Sequence, residues 1–116
     1  MSIHVQRKEY DPEAGRYQYH LQFKPIIEDD EVHSSVSVEV AFSISENGDL
    51  ADLSFLVPKG VRREQALKFL EEEQSAQVQD ARVFIVLPEA TGDSVMRAPA
   101  DLELDAAGRI IGMEIH

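Results

Sequence analysis

Residues 43–55 read SISENGDLADLSF, and residues 103–115 read ELDAAGRIIGMEI in gapless alignment with them. In each segment, alternating apolar and polar residues lead into a glycine, Gly48 or Gly108, and a second stretch containing apolar residues follows. Alternation with a period of two is typical of a strand with one buried face. The pair Asn47-Gly48 also favours a tight turn whose twist suits the flanking strands. The sequence therefore predicts the same β-hairpin twice, a repeat that concerns folding and carries no chemistry of its own.

Further strands are predicted on both sides of the first hairpin copy. Residues 3–8 and 17–23 alternate, with the turn sequence DPEAG between them at residues 11–15. Residues 35–45 give the clearest alternation in the chain and lead into the first glycine turn. Residues 83–87 read VFIVL, and a continuous apolar run of this kind is typical of a central strand that is covered on both faces.

One helix is predicted, over residues 61–74, because Ala66, Leu67 and Leu70 lie on one stripe of a helical projection while charged residues face away. The elements together predict an α+β fold, an antiparallel sheet of about six to seven hairpin-connected strands with one helix packed on one face. A length of 116 residues is suited to one hydrophobic core, so we predict a single domain over residues 1–116.

The composition argues against several classes of function. The chain carries 22 acidic against 11 basic side chains, a formal net charge of −11, and an excess of that size repels nucleic-acid phosphates and anionic lipids. It contains no cysteine, which excludes disulfides, thiolate catalysis and cysteine-ligated zinc. Residues 1–8 lack the apolar core of a signal peptide, and no apolar run approaches the roughly 20 residues of a membrane helix. We therefore predict a cytoplasmic protein with neither nucleic acid nor membrane as a partner.

Two segments resemble DUF2283, a family of small bacterial and archaeal domains of unknown function. The segment YDPEA, from Tyr10 to Ala14, matches the opening of the family, and the segment from Asp101 to Ile115 matches its closing strand, glycine turn and strand. The match covers only these two segments, and Gly15 stands where the family usually has Asp. The resemblance implies no known activity and no catalytic residues. Because some relatives are encoded next to small toxin-like proteins, it does suggest an antitoxin-like role.

The histidines give only weak candidates for metal ligands. His4 and His20 fall on the polar faces of two strands predicted to pair, where a nearby carboxylate would complete a metal site. His33 lies next to an acidic segment. None of the three lies in a metal-binding motif, and unclustered histidines are usually ordinary surface or core residues, so we predict no metal and no cofactor.

The acidic segment is formed by Glu28, Asp29, Asp30 and Glu31. It lacks the ligand spacing of a calcium-binding loop, and a solvated acidic loop is the simpler interpretation. We retain these four residues as candidates for contact with a protein partner. No catalytic motif is present elsewhere: the chain contains neither a nucleophile elbow nor a glycine-rich phosphate-binding loop.

Three hypotheses about function follow. The leading one is a non-enzymatic protein-interaction module that forms a homodimer, since a small β-rich domain offers free strand edges for self-association. The first alternative is an antitoxin-like binder of a small basic protein, which the net negative charge would favour. The second alternative is a small-molecule or metal-binding enzyme, and it would require a concave site with converging polar groups.

Overall fold

Eight strands form one antiparallel sheet in the computed structural model, which describes residues 3–23, 32–71, 76–87 and 90–116. In chain order the elements are β1 (His4–Asp11), β2 (Arg16–Gln22), β3 (Ser34–Ile44), β4 (Leu50–Leu56), α1 (Arg63–Ala66), β5 (Ala76–Gln79), β6 (Arg82–Val86), β7 (Ser94–Leu104) and β8 (Ile110–Ile115). Across the sheet the order is β1-β2-β8-β7-β3-β4-β6-β5, and the sheet curls into a half-barrel.

The predicted α+β class is wrong, because the structure is nearly all sheet and no helix packs on a sheet face. The helix expected over residues 61–74 is limited to the four residues of α1, and its N-cap residue Arg62 makes no side-chain capping hydrogen bond. A helix start is costly to nucleate, and glutamates at residues 71–73 oppose the dipole at the C-terminal end of a longer helix. Ala66, Leu67 and Leu70 are nevertheless buried in the core.

The two predicted hairpins are confirmed as β3–β4 and β7–β8, and they are built alike. In the first, Gly48 N donates to Ser45 O at 3.0 Å, and in the second Gly108 N donates to Asp105 O at 3.0 Å. Both glycines have positive φ, +79° and +84°. The pairing register also shifts at equivalent places, after Ser43 in one hairpin and after Glu103 in the other.

The two hairpins lie side by side in the sheet and are related by a pseudo-twofold axis. Strand β3 pairs with β7 along its whole length, from Ser34 with Leu104 to Ile44 with Ser94. Adding 60 to a residue number in the first hairpin gives the equivalent residue in the second. When each residue is replaced by its equivalent, the pair Ser34–Leu104 becomes the pair Ser94–Ile44, which is also present. The pair Glu39 and Pro99 is unchanged by the exchange, so the axis passes through it.

The same axis relates the outer strands. Strand β2 flanks β8, where Phe23 N donates to Ile111 O at 2.9 Å, and β6 flanks β4, where Leu87 N donates to Ala51 O at 2.8 Å. Each half of the chain therefore contributes an outer hairpin and an inner hairpin, and each outer hairpin pairs with the inner hairpin of the other half. This arrangement interlocks the first four strands with the last four.

The sheet has a buried inner face and a solvent-facing outer face. Leu21, Val40, Leu53, Ile85 and Met113 on the inner face are at most 2% exposed and form the centre of the core. Residues 83–87 were expected to be covered on both sides, and this is wrong. Val83 and Ile85 are buried, whereas Phe84 and Val86 between and after them are exposed. In the described part of the chain, no helix has the length and apolarity required to cross a bilayer.

Candidate interaction surface

The outer face of the sheet divides into a charged half and an apolar half on the two sides of the pseudo-twofold axis. The charged half follows one register row across five strands. This row consists of Arg7 on β1, His20 on β2, Glu114 on β8, Asp101 on β7 and Ser37 on β3. Each residue is the direct cross-strand partner of the next, so their side chains emerge side by side.

Most of the charges in this half are paired with each other. Arg7 Nη2 donates to Glu114 Oε1 at 3.2 Å, and His116 Nε2 lies 2.8 Å from Asp101 Oδ2. Ser37 Oγ donates to the other oxygen of Asp101 at 3.2 Å. The hydrogen bond with His116 lowers the pKa of Asp101 against a smaller opposing effect of desolvation, and Ser37 lowers it further. The charged half is therefore a network of polar and charged contacts that joins β1, β8, β7 and β3.

Two contacts of the charged half reach across a whole strand: Arg7 on β1 contacts Glu114 on β8 across β2, and His20 contacts Glu103 across β8. His20 Nε2 on β2 lies 2.7 Å from Glu103 Oε1 on β7, although β8 runs between the two strands. The contact is possible because Gly112 stands on β8 at that point: a Cβ atom added there would lie 2.6 Å from Glu103 Oε1. The two side chains are 22% and 18% exposed, so the contact is largely covered.

The structure does not bring the three histidine candidates for a metal site together. His4 is exposed on β1, opposite Gln22, and His33 is exposed just before β3. His20 is engaged with Glu103. Within residues 3–23, 32–71, 76–87 and 90–116, no group of three or more His, Asp or Glu side chains has a geometry that could hold a metal ion. The acidic interaction candidates Glu28, Asp29, Asp30 and Glu31 lie outside the described residues.

The apolar half of the outer face contains three adjoining exposed side chains, which we call the apolar strip: Leu56 on β4 and Phe84 and Val86 on β6. Their exposures are 53%, 39% and 57%. Phe84 lies directly opposite Ser54. Leu56 is two residues from Ser54 on β4, and Val86 is two residues from Phe84 on β6, so Phe84 lies between the other two members on the outer face. Single exposed apolar residues are common on proteins, but adjoining ones form a patch of the kind that marks binding surfaces.

Opposite charges stand at the two ends of the apolar strip. Arg82 is the cross-strand partner of Leu56, and its guanidinium lies 5.9 Å from the centroid of the Phe84 ring. Asp52 is the cross-strand partner of Val86 and accepts a hydrogen bond from Ser43 Oγ at 2.9 Å. Arg82 is two residues from Phe84 on β6, and Asp52 is two residues from Ser54, which faces Phe84, on β4. The two charges therefore lie on opposite sides of Phe84 along the strand direction.

The pseudo-twofold axis places polar residues at the positions that correspond to the strip. Leu56 is equivalent to His116, and Phe84, which faces Ser54, is equivalent to His20, which faces Glu114. Val86 corresponds in the same way to Gln22. The fold therefore accommodates polar side chains at these three positions, and the apolar strip is not a requirement of the sheet.

A cleft beside the free edge of β1 is lined by polar groups that are bound to one another or to the first turn. It has a volume of about 400 Å³ and is lined by Ile3, Leu50 and Leu87 together with Lys8 and Tyr19. Lys8 Nζ donates to Asp49 Oδ1 at 2.8 Å, a bond that raises the pKa of Lys8, and the Tyr19 hydroxyl donates to the carbonyl of Gly48. Burial raises the pKa of Tyr19 to about 12, so its phenol stays a donor to the turn.

Sequence reasoning could have identified part of this surface. His116 continues the alternation of β8, so its side of the sheet follows from the pattern. The contact of His20 with Glu103 depends on the pairing of β2 with β8, two strands that are distant in the chain, and nothing in the sequence specifies that register. The apolar strip was present in the sequence as residues 83–87, but a continuous apolar run does not show which of its residues are exposed.

Comparisons with known proteins identify no relative of this chain. No family model, no curated protein and no solved structure matches the chain. The resemblance to DUF2283 therefore stays a prediction.

Proposed function

We propose that the protein is a non-enzymatic interaction module that binds another protein on the apolar strip of its outer face. The observation that carries this proposal is the exposure of Leu56, Phe84 and Val86 at adjoining positions of a regular sheet. Burial of apolar surface stabilises a complex by roughly 25 cal/mol for each Å² removed from water. Aromatic residues are enriched at the centres of protein interfaces, and Phe84 occupies the middle of the strip.

A protein fits this surface better than other classes of ligand. The net charge of −11 opposes nucleic acids and anionic membranes. The strip lies on a sheet face, whereas sites for small molecules are concave and enclose most of the ligand. The absence of a metal-holding group among the described residues also gives no support to the enzyme hypothesis.

The charged half does not favour a basic partner over the apolar strip. Glu114, Glu103 and Asp101 each have a basic partner within the protein: Arg7, His20 and His116. A basic ligand would have to break these contacts before it gained its own. The antitoxin-like hypothesis therefore depends on acidic residues elsewhere in the chain.

Photo-crosslinking in cells that express the chain tests the proposed function. A photoreactive amino acid replaces Val86 in one variant and Val32 in a matched control, since both are exposed valines but Val32 lies before the start of β3, on the far side of the pseudo-twofold axis from the strip. We expect a covalent adduct from position 86 with one protein, identified by mass spectrometry, and a much weaker adduct from position 32. Equal adducts from both positions, or none from position 86, would contradict the proposal.

A further inference from the structure

We infer that the partner of the apolar strip is a second copy of this chain, bound face to face about a twofold axis that passes beside Phe84. This inference rests on the proposed function of the strip. A twofold interface uses the same patch on both molecules, so the patch must be complementary to itself. The geometry and the charges of the strip meet this condition.

The charges give the first argument. Arg82 lies at the Leu56 end of the strip and Asp52 at the Val86 end, with Phe84 between them. Arg82 and Val86 are four residues apart on one strand, about 13 Å at the rise of a β-strand. A twofold axis beside Phe84 brings each end of the strip to the opposite end in the other copy. Arg82 of each molecule then approaches Asp52 of the other, and the two Phe84 rings meet at the centre.

The shape of the neighbouring surface gives the second argument. A shallow depression of about 410 Å³ adjoins the strip, lined by the small side chains Ala41 and Ser54 and bordered by Leu56, Arg82 and Arg97. Ala41 and Ser54 are direct partners across β3 and β4, so the outer face is lowest at that point. Its position beside Leu56 offers space for an apolar side chain from the second copy, which would extend the contact beyond the three strip residues.

The distribution of charge gives the third argument. A second copy carries the same net charge of −11, and like charges oppose self-association unless the contact region is neutral. Among the described residues, Arg82 and Arg97 border the strip and the depression together with Asp52 and Glu39, two of each sign, and Arg97 Nη1 lies 3.4 Å from Glu39 Oε1. These four charges offset one another on a strongly acidic protein.

The strand edges are poorer sites for a second copy. Strand β1 has an irregular register between Val5 and Arg7, and Arg7 and Lys8 lie on this edge. Irregularities and charged side chains on an edge strand hinder the addition of another strand. The other edge, β5, is only four residues long. Self-association through the outer face does not require either edge.

Sedimentation equilibrium of the purified full chain tests the inference. We expect the wild type to be a dimer at about 100 µM and the variant Val86→Lys to dissociate at least about tenfold more easily. A lysine at position 86 stands opposite Asp52 on the neighbouring strand, so it competes for the carboxylate that Arg82 of the other copy would approach and adds a positive charge beside that arginine. The control Val32→Lys, at an exposed valine before the start of β3, should leave the dimer constant unchanged. Circular dichroism and the urea midpoint of each variant verify that the fold is retained.

A charge reversal distinguishes a second copy from any other partner. Arg82→Glu and Asp52→Lys should each weaken the dimer, and the double variant should recover it, since only a self-complementary interface restores both pairs at once. A monomeric wild type, or a dimer insensitive to Val86→Lys, would overturn the inference. If the wild type is monomeric while position 86 crosslinks to a different protein, the proposed function stands and only the identity of the partner is wrong.

Discussion

The hairpins β3–β4 and β7–β8 share one backbone structure but carry different side chains on the outer face of the sheet. On the inner face their equivalent residues are all apolar, as Leu53 and Met113 illustrate. On the outer face the equivalents differ in charge and size: Ser43 corresponds to Glu103, and Asp52 to Gly112. The fold therefore requires the turn, the register shift and the inner-face residues, while the outer face is free to diverge.

The difference shows where specificity is located in this molecule. One outer half joins its strands by polar contacts, one of which, between His20 and Glu103, crosses β8 where Gly112 provides the space. The other half keeps small residues on β3 and β4 and exposes Leu56, Phe84 and Val86 beside them. A duplicated framework thus presents two surfaces, and in the described part of the chain the large exposed apolar side chains of the outer face, Leu56, Phe84, Val86 and Val95, lie on one of them.

The turn carboxylate of the second hairpin gives the largest expected difference between the two. Asp105 is buried and accepts hydrogen bonds from Ala107 N, Arg109 N and Arg109 Nε at 2.8–3.0 Å. Its equivalent Ser45 accepts only from Asp49 N, at 3.1 Å. We expect Asp105→Ala to lower the free energy of unfolding by about 3 kcal/mol and Ser45→Ala by about 1 kcal/mol, measured by urea denaturation.

The pH dependence of the same variants sharpens this prediction. Desolvation is the largest single effect on Asp105 and raises its pKa, but the hydrogen bonds and charge of Arg109, with the bond from Ala107 N, together exceed it and lower the pKa from its usual 3.8. When the pKa of a carboxyl group is lower in the folded than in the unfolded protein, the group stabilises the fold at a pH above its unfolded-state pKa. That stabilisation is lost as the pH falls through its folded-state pKa. The advantage of the wild type over Asp105→Ala should therefore shrink below pH 3.8. Asp105→Asn keeps an acceptor for the two backbone groups and should be intermediate at pH 7.

The turn glycines give a smaller expected difference in stability, and here the first hairpin is the more sensitive of the two. Both have positive φ, which costs any other residue about 1 kcal/mol. A Cβ atom at Gly48 would also overlap the Tyr17 ring, whereas one at Gly108 meets nothing within 4 Å. We expect Gly48→Ala to destabilise the protein by about 2 kcal/mol and Gly108→Ala by about 1 kcal/mol, measured by urea denaturation.

Gly15 supplies a control for the backbone term, because its φ is +68° and its surroundings are equally open. Gly15→Ala should match Gly108→Ala. If all three substitutions cost the same, the contact of Tyr17 with the first turn contributes no stability.

The sequence predicted the features that depend on residues close together in the chain, such as the hairpins. It did not predict the features that depend on the pairing of strands distant in the chain. Both hairpins were predicted because their alternation and turn glycines are local signals. The helix was wrong because the apolar stripe of Ala66, Leu67 and Leu70 fills the core from a short turn segment. The apolar run at residues 83–87 is consistent with cover on one face or on both, and only the position of β6 in the sheet decides between them.

The candidate surface required the same distant information. The strip and the ion pair of His20 with Glu103 both arise where an outer hairpin of one half meets an inner hairpin of the other. Alternation assigned His20 to the polar face of its strand, but nothing local specified Glu103 as its partner. The register of β1 and β2 places His4 opposite Gln22 and His20 opposite Arg7, a detail that the two alternating segments did not specify.

The pair of His116 with Asp101 gives the smallest expected effect and tests the charged half alone. At the equivalent positions the apolar half has Leu56 and Ala41, which cannot form such a pair. Both partners are exposed, so His116→Gln should change stability by only a few tenths of a kcal/mol. It should raise the pKa of Asp101 toward its usual 3.8, because the hydrogen bond from His116 is the main cause of the lowered value. Carboxyl NMR titration measures this shift, with Ser37→Ala as a control that should raise the pKa by less. An unchanged pKa in His116→Gln would show that His116 does not hold Asp101 in solution, and Asp101 would then have only Ser37 as a partner and could contact a basic ligand.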